Sequence, residues 1–256
     1  MSRTRLTFLG TGTSQGVPMI GCGCEVCRST DSRDKRLRSS VYVEYDGLKI
    51  IVDAGPDFRQ QMLREGISSI DAILLTHNHK DHTGGLDDIR AFNYHDKKPS
   101  HIYCEKYVED ALRMEYSYAF AENKYPGAPD WEIHLIDQNR FEINGREIVP
   151  IRGRHFRLPV LGYRFGDIAY CTDMNHIDES EMSKLHGLEH FVINCVRRGR
   201  HISHFSLEEA IATARKVGAR HTWLTHLSHQ LPRQEVLEEE LPADIRPAYD
   251  GLVISK

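Results

Sequence analysis

A chain of 256 residues with 40% hydrophobic and 27% charged residues has the composition of a folded globular protein, which excludes a disordered or fibrous chain. Its formal charge of −4 gives no overall attraction to nucleic acid or to an anionic membrane surface, so an anionic substrate has to be captured locally. No apolar run approaches membrane-spanning length, and the start Met1-Ser2-Arg3-Thr4-Arg5-Leu6 runs into a strand-like segment in place of a secretory apolar stretch.

In chain order, the first predicted strand is Leu6–Leu9. The crowded trio Cys22, Cys24 and Cys27 follows, then strands at Val41–Tyr45, Lys49–Val52 and Ala72–Leu75. Met114–Trp131 carries Tyr116, Tyr118, Phe120, Tyr125 and Trp131, and reads either as a flap facing a substrate or as a surface loop that buries its own aromatics. Further strands are expected at Glu147–Ile151, Gly162–Phe165, Ile168–Cys171, Phe191–Asn194 and Thr222–Thr225. A helix is expected from about Glu179 to His186, capped by Asp178 and stopped by Gly187. The clearest helix is Leu207–Val217: Ser206 and Glu209 spell a capping box, Leu207, Ala210, Ile211, Ala214 and Val217 form one apolar face, and Gly218 ends it. No linker, charge block or repeat divides the chain, so a single α/β domain over residues 1–256 with more than one sheet layer is expected. Cys104, Cys171 and Cys195 stand alone in apolar surroundings, so the cysteines do not form a disulfide framework, and a cytoplasmic location follows.

The segment Leu74-Leu75-Thr76-His77-Asn78-His79-Lys80-Asp81-His82 places a buried-type strand directly before three histidines and an aspartate. If the two-residue alternation persists, His77 and His79 point the same way and bind one ion as neutral imidazoles. The turn ending in Gly84-Gly85 then directs Asp81 and His82 toward a second ion.

This segment matches the H-x-H-x-D-H motif at every defined position and so resembles the metallo-β-lactamase superfamily, which implies a four-layer αββα sandwich. The resemblance implies that His77 and His79 serve metal site one, and Asp81 and His82 site two. Further ligands are expected at strand ends: His155 completing site one, Asp173 bridging both ions, and His226 completing site two. Asp53, in Val52-Asp53-Ala54-Gly55, matches the aspartate that supports the H-x-H loop from behind.

The spacing C-x-C-x-x-C supplies three thiolates for a structural zinc, and His229, three residues after His226, is the candidate fourth ligand; a disulfide within the trio or a reactive cysteine are the alternatives. With Thr11-Gly12-Thr13-Ser14-Gln15-Gly16-Val17-Pro18, Thr225-His226-Leu227-Ser228-His229-Gln230 and Tyr249-Asp250-Gly251, the trio extends a resemblance to the PhnP-type phosphodiesterases over essentially the whole chain. That subgroup opens a ribosyl 1,2-cyclic phosphate at a dimanganese-type centre and carries a separate cysteine–histidine zinc. The resemblance therefore implies two divalent transition-metal ions, manganese, zinc and iron all suiting the ligands, plus one structural zinc. Met114–Trp131 looks longer and more aromatic than its counterpart there, which leaves the substrate open. The basic Gly/Pro-rich arm of the related tRNA 3′-processing enzymes is missing, so nucleic acid is not an expected partner.

Two adjacent ions can bind phosphoryl oxygens, generate a hydroxide nucleophile and stabilise the charge that builds as an ester breaks. His204 lies just before the capped helix, whose positive end favours an anion. The resemblance implies that it contacts phosphate and protonates the leaving group, so Asp81, Asp173 and His204 are the expected catalytic residues. Arg152, Arg154, Arg197, Arg198 and Arg200 gather positive charge near these ligands. The expected activity is metal-dependent hydrolysis of a small phosphodiester, cyclic ribosyl and nucleotide esters included. A thioester or lactone hydrolase and a non-catalytic metal or cofactor carrier are the alternatives, and monomer and homodimer are both open.

Overall fold

The computed structural model describes residues 3–256; Met1 and Ser2, part of the start read above, lie outside the described residues. In chain order the first six strands are β1 (Thr4–Gly10), β2 (Ser40–Tyr45), β3 (Leu48–Val52), β4 (Ala72–Leu74), β5 (Ser100–Cys104) and β6 (Trp131–Leu135). Those that follow are β7 (Phe141–Ile143), β8 (Arg146–His155), β9 (Leu158–Phe165), β10 (Ile168–Cys171), β11 (His176–Ile177), β12 (His190–Asn194), β13 (His221–Thr225), β14 (Ile245–Pro247) and β15 (Val253–Ser255). The helices are α1 (Glu25–Arg28), α2 (Phe58–Glu65), α3 (Lys80–Thr83), α4 (Arg90–Asp96), α5 (Lys106–Glu115), α6 (Leu207–Val217) and α7 (Gln234–Glu240).

The strands form two mixed sheets, ordered β15-β1-β2-β3-β4-β5-β6 and β11-β8-β9-β10-β12-β13-β14, with β7 paired to β8. Alternation along each strand builds three apolar layers. Val43, Ile50 and Leu74 meet Leu161, Tyr163, Phe165 and Val192 between the sheets. Ile51, Ile73 and Ile102 face the opposite way, against Phe58 and Met62 of α2, Phe92 of α4, and Val108 and Leu112 of α5. On the far side, Val160, Cys171, Phe191 and Ile193 pack against Leu207, Ala210 and Ala214 of α6 and Leu237 of α7. Three cores between four layers make the expected αββα sandwich.

All nine predicted strands are present, and β8 and β9 extend into a hairpin that carries His155 to its tip, where it pairs with Leu158. The capping box of α6 is formed as read, with Gly218 left-handed at its end. The predicted 179–186 helix is instead a 3₁₀ helix, Glu179–Leu185, and Asp178 does not cap it because its carboxylate is held by Arg154 and His176. Met114–Trp131 fits neither reading whole: Met114, Tyr118 and Tyr125 are exposed, while its other aromatics bury themselves. Tyr116 and Trp131 are buried against α5 and stack edge-on at 5.2 Å, Phe120 joins them, and the Tyr116 hydroxyl donates to the Thr83 carbonyl at 2.8 Å, bracing α3. Among the described residues, no helix is long and apolar enough to cross a membrane.

Candidate metal centre

The expected ligands come from four strand ends that converge on one rim of the sandwich. β4 gives way to the loop of His77 and His79, which ends in α3 with Asp81 and His82; β8 ends at His155, β10 is followed by Asp173, and β13 by His226. The turns are sharp enough to put Asp53, Asp173 and His226 at φ values of 65°, 54° and 56°. Left-handed backbone at non-glycine residues is costly and persists where the surroundings enforce it, a pattern common at functional sites. The Asp53 and Asp81 loops touch through a glycine: a Cβ on Gly55 would lie 2.0 Å from the Asp81 carbonyl oxygen.

Asp173 sits at the centre. Its Oδ1 lies 2.7 Å from His226 Nδ1, and its Oδ2 lies 3.1 Å from His82 Nε2, 3.7 Å from His77 Nε2 and 3.7 Å from His204 Nε2. Asp81 Oδ2 is 3.3 Å from His82 Nε2. Donor atoms of His77, His79 and Asp173 converge, as do those of His82, Asp173 and His226, and those of His155, Asp173 and His204. The rings of His79 and His155 lie 5.0 Å apart, and those of His155 and His204 4.6 Å apart. All seven predicted ligands and His204 are thus brought together.

Asp53 is buried behind them. It accepts from Thr76 N–H and Thr76 Oγ1, each at 2.9 Å, and from His82 Nδ1 at 2.6 Å. Because Thr76 Oγ1 donates to Asp53, it accepts from His77 Nδ1 at 2.9 Å, so both imidazoles turn Nε2 toward Asp173. In His226 it is Nδ1 that faces Asp173, and the same nitrogen lies 3.1 Å from Ser39 Oγ, whose hydroxyl donates to the Gly12 carbonyl. The Thr11–Gly12 segment is fixed in turn by Asp250, which accepts from Thr11 N–H and Oγ1. Asn194 clamps the Asp173 turn by bonding both the N–H and the carbonyl of Met174.

The charges suit cations. Burial alone would raise the Asp173 carboxyl, but His226 and His82 outweigh it and hold it well below the usual range. Asp81 is likewise lowered despite burial, chiefly by His82. His82 is pushed well up against its burial by Asp173, Asp81 and Asp53, whereas burial holds His77 well down and His155 at about 4, in the neutral form that binds metal. The residues fit a metal: His77 Nε2 and His155 Nδ1 are buried without a hydrogen-bond partner, and an orphaned buried imidazole nitrogen beside a carboxylate is a ligand in waiting.

The second predicted site also assembles. Cys22 and Cys24 Sγ lie 3.3 and 3.5 Å from His229 Nδ1, and the donor atoms of Cys22, Cys24, Cys27 and His229 form one cluster. The cysteines are free thiols, so the disulfide alternative is set aside. Backbone N–H groups of Cys24, Cys27 and Met19 point at the sulfurs of Cys22, Cys24 and Cys27. The Cys27 N–H, with His229 beside it, lowers Cys24 to about 6, while burial raises Cys27 to about 11.

Other expectations are not met. The first N–H groups of α6 are not free for an anion: Ser206 N–H goes to the Glu209 carboxylate, Leu207 N–H to the Arg197 carbonyl and Glu209 N–H to Ser206 Oγ. Three of the five arginines meet carboxylates, Arg152 bidentately with Glu105, Arg154 with Asp178 and Arg198 with Glu240, whereas Arg197 donates to the Arg200 carbonyl and Arg200 is exposed. The sequence reading passed over the turn beyond His155. An open cleft of about 530 Å³ beside the histidines is lined by His79, His155, Phe156, Arg157, Leu158, Ile202 and Ser203. Phe156 holds φ 58° at the tip of the β8–β9 hairpin, unusual for a bulky residue. The Arg157 guanidinium lies 5.2 Å from the Phe156 ring and has no carboxylate partner among the described residues.

Residues 49–227 match the model of the "Beta-lactamase superfamily domain". The chain belongs to the beta-lactamase superfamily. Within that superfamily, it is similar to a solved "new diphosphatase from the PhnP family", with 40% identity and a TM-score of 0.93, covering 100% of this chain and 98% of that one. It is 43% identical over 251 residues to an octanoyltransferase of Porphyromonas gingivalis, covering 97% of this chain but 51% of that protein. The chain therefore spans about half the length of this relative. A ribonuclease Z of Pyrobaculum neutrophilum is 25% identical over 289 residues, covering 96% of this chain and 94% of its own.

Proposed function

We propose that this superfamily member is a metal-dependent hydrolase of a small phosphodiester or diphosphate, whose two divalent transition-metal ions would be held around Asp173. The observation that carries the reading is the arrangement around Asp173: His77 and His82 turned inward by Thr76 and Asp53, two buried imidazole nitrogens without partners, and His204 Nε2 at 3.7 Å. His77, His79 and His155 would hold one ion and Asp81, His82 and His226 the other. When bound, the pair supplies an activated water and binds phosphoryl oxygens.

The chain's own residues do the rest. Asp53 holds the Nδ1 hydrogen of His82, so Nε2 is the nitrogen whose proton an incoming ion would displace. His204, with Nε2 toward Asp173 and Nδ1 3.1 Å from both Ser203 Oγ and His201 Nδ1, is placed to hand a proton to the departing oxygen. Arg157 supplies the unpaired positive charge for a phosphate, and Phe156 and Ile202 offer apolar surface to the group it carries. The similarity to a PhnP-family diphosphatase and to a ribonuclease Z supports phosphoester chemistry. A separate Cys22–Cys24–Cys27–His229 zinc would be structural.

The decisive test combines His204→Ala with two leaving groups. Metal content should stay intact while turnover falls about a hundredfold or more, within the range of general acid catalysis. An alkyl ester should suffer most and p-nitrophenyl least, since a poor leaving group depends on the proton. Equal losses would reduce His204 to phosphate binding, and no loss would place it outside the site. The apolar flank Phe156, Leu158 and Ile202 favours a thioester or lactone as second reading. Turnover of those substrates in preference to a phosphodiester would replace the first.

A further inference from the structure

Outside the centre and the cysteine cluster, metal-binding side chains gather again at the far edge of the first sheet. β5 and β6 are its last two strands, paired in parallel with His101 opposite Glu132 and Tyr103 opposite His134. Side chains two positions apart share a face, so these four residues project from one side. His101 Nδ1 lies 3.0 Å from His134 Nε2 and 3.5 Å from Glu132 Oε2, and His134 Nε2 lies 3.6 Å from Glu132 Oε1.

Those distances bring two imidazole nitrogens together with a carboxylate that offers one oxygen to each of them. Imidazole and carboxylate ligands sit about 2.0–2.2 Å from zinc, which keeps neighbouring donors about 2.9–3.4 Å apart for angles between square and tetrahedral. The 3.0 Å edge between the histidines already falls in that range, and the exposed Glu132 side chain has only to turn one oxygen inward to complete a face of a coordination shell. The ligands are also held in advance. Two rise from adjoining positions of paired strands, and the His134 ring stacks on Tyr103 at 4.5 Å and 15°, while Tyr103 stacks in turn on Phe141 at 5.6 Å. His101 and His134 are half-buried and Glu132 is exposed, so the outward side stays open to solvent.

We infer that His101, Glu132 and His134 form a third metal site, taking one borderline divalent ion such as zinc, nickel or copper, with solvent completing its shell. Two imidazoles and one carboxylate suit those ions and not calcium or magnesium, which demand oxygen. Three protein ligands and open positions make the ion exchangeable, unlike one enclosed by thiolates. By joining the edge strand β6 to β5, it would also fasten the sheet's outer border.

The test uses untagged full-length protein dialysed against low-micromolar free zinc, followed by elemental analysis. Wild type should carry one equivalent more than His134→Ala or His101→Ala/His134→Ala, with phosphodiester turnover unchanged. Zinc should raise the unfolding temperature of wild type more than that of the variants, and wild type should need more imidazole to leave a nickel-charged resin. Thermal unfolding in chelator checks that the variants fold; Glu132→Gln, an exposed change, serves if they do not and should weaken retention. Equal stoichiometry in wild type and folded variants, or equal retention with Glu132→Gln, overturns the site and reduces the cluster to a His101–His134 hydrogen bond.

Discussion

Asp53→Asn isolates the support behind the centre without removing a ligand. Asparagine tolerates the φ of 65° at this position, so backbone and volume are conserved. Its carbonyl still accepts from Thr76 N–H, but its amide presents hydrogens where Thr76 Oγ1 and His82 Nδ1 need an acceptor. His82 then keeps its Nδ1 hydrogen only unpaired, or moves it to Nε2 and loses the lone pair that faces Asp173. The bond removed is charge-assisted and 2.6 Å long. Bonds of that kind contribute about 1.5–3 kcal/mol. At about 1.4 kcal/mol per tenfold, the ion held by Asp81, His82 and His226 should bind about 10- to 100-fold more weakly. Chelator competition on protein that retains its cysteine-site metal measures this directly. Wild-type affinity in a folded Asp53→Asn protein would refute the claim that Asp53 orients His82.

Asp173→Ala should abolish turnover by orders of magnitude while the cysteine-site zinc persists, and near-normal activity would show that the ligands are wrongly assigned. Cys24 titrates at about 6 in place of 9.0, so its contribution to the metal-free fold is present above pH 9 and lost as pH falls through 6. Cys24→Ser should flatten that part of a plot of urea midpoint against pH, and an unchanged slope would contradict the assignment. Phe156→Gly should relieve a left-handed strain of about 1 kcal/mol and raise the urea midpoint, yet raise KM by removing cleft surface. Lower stability with unchanged KM would make Phe156 a structural residue.

Legibility differed between the two kinds of site residue. The ligands were readable because β-strands that end in His or Asp are both a folding pattern and a chemical one, as at Ile168–Cys171 with Asp173. Helices α2, α4, α5 and α7 and the strands β5 and β6 went unread, since Ser100–Cys104 and Trp131–Leu135 mix polar residues into short runs and depend on tertiary pairing. Arg157 was invisible for another reason: nothing in sequence says that Arg152 and Arg154 meet carboxylates while Arg157 does not. The anion site expected at α6 failed because the capping box that marks the helix start also consumes its donors.

The cysteine cluster has a consequence for how the chain comes together. Cys22 and His229 are 207 residues apart, so an ion shared by them closes a loop containing most of the molecule. Clips on long loops remove the most freedom from an unfolded chain. The Thr11–Gly12 segment beside that cluster also carries Ser39 and, through it, His226, and is secured by Asp250. A nascent chain can therefore finish neither cluster until the segment from His226 to Asp250 has emerged from the ribosome, so an ion held at either would be captured only after most of the two sheets has been made.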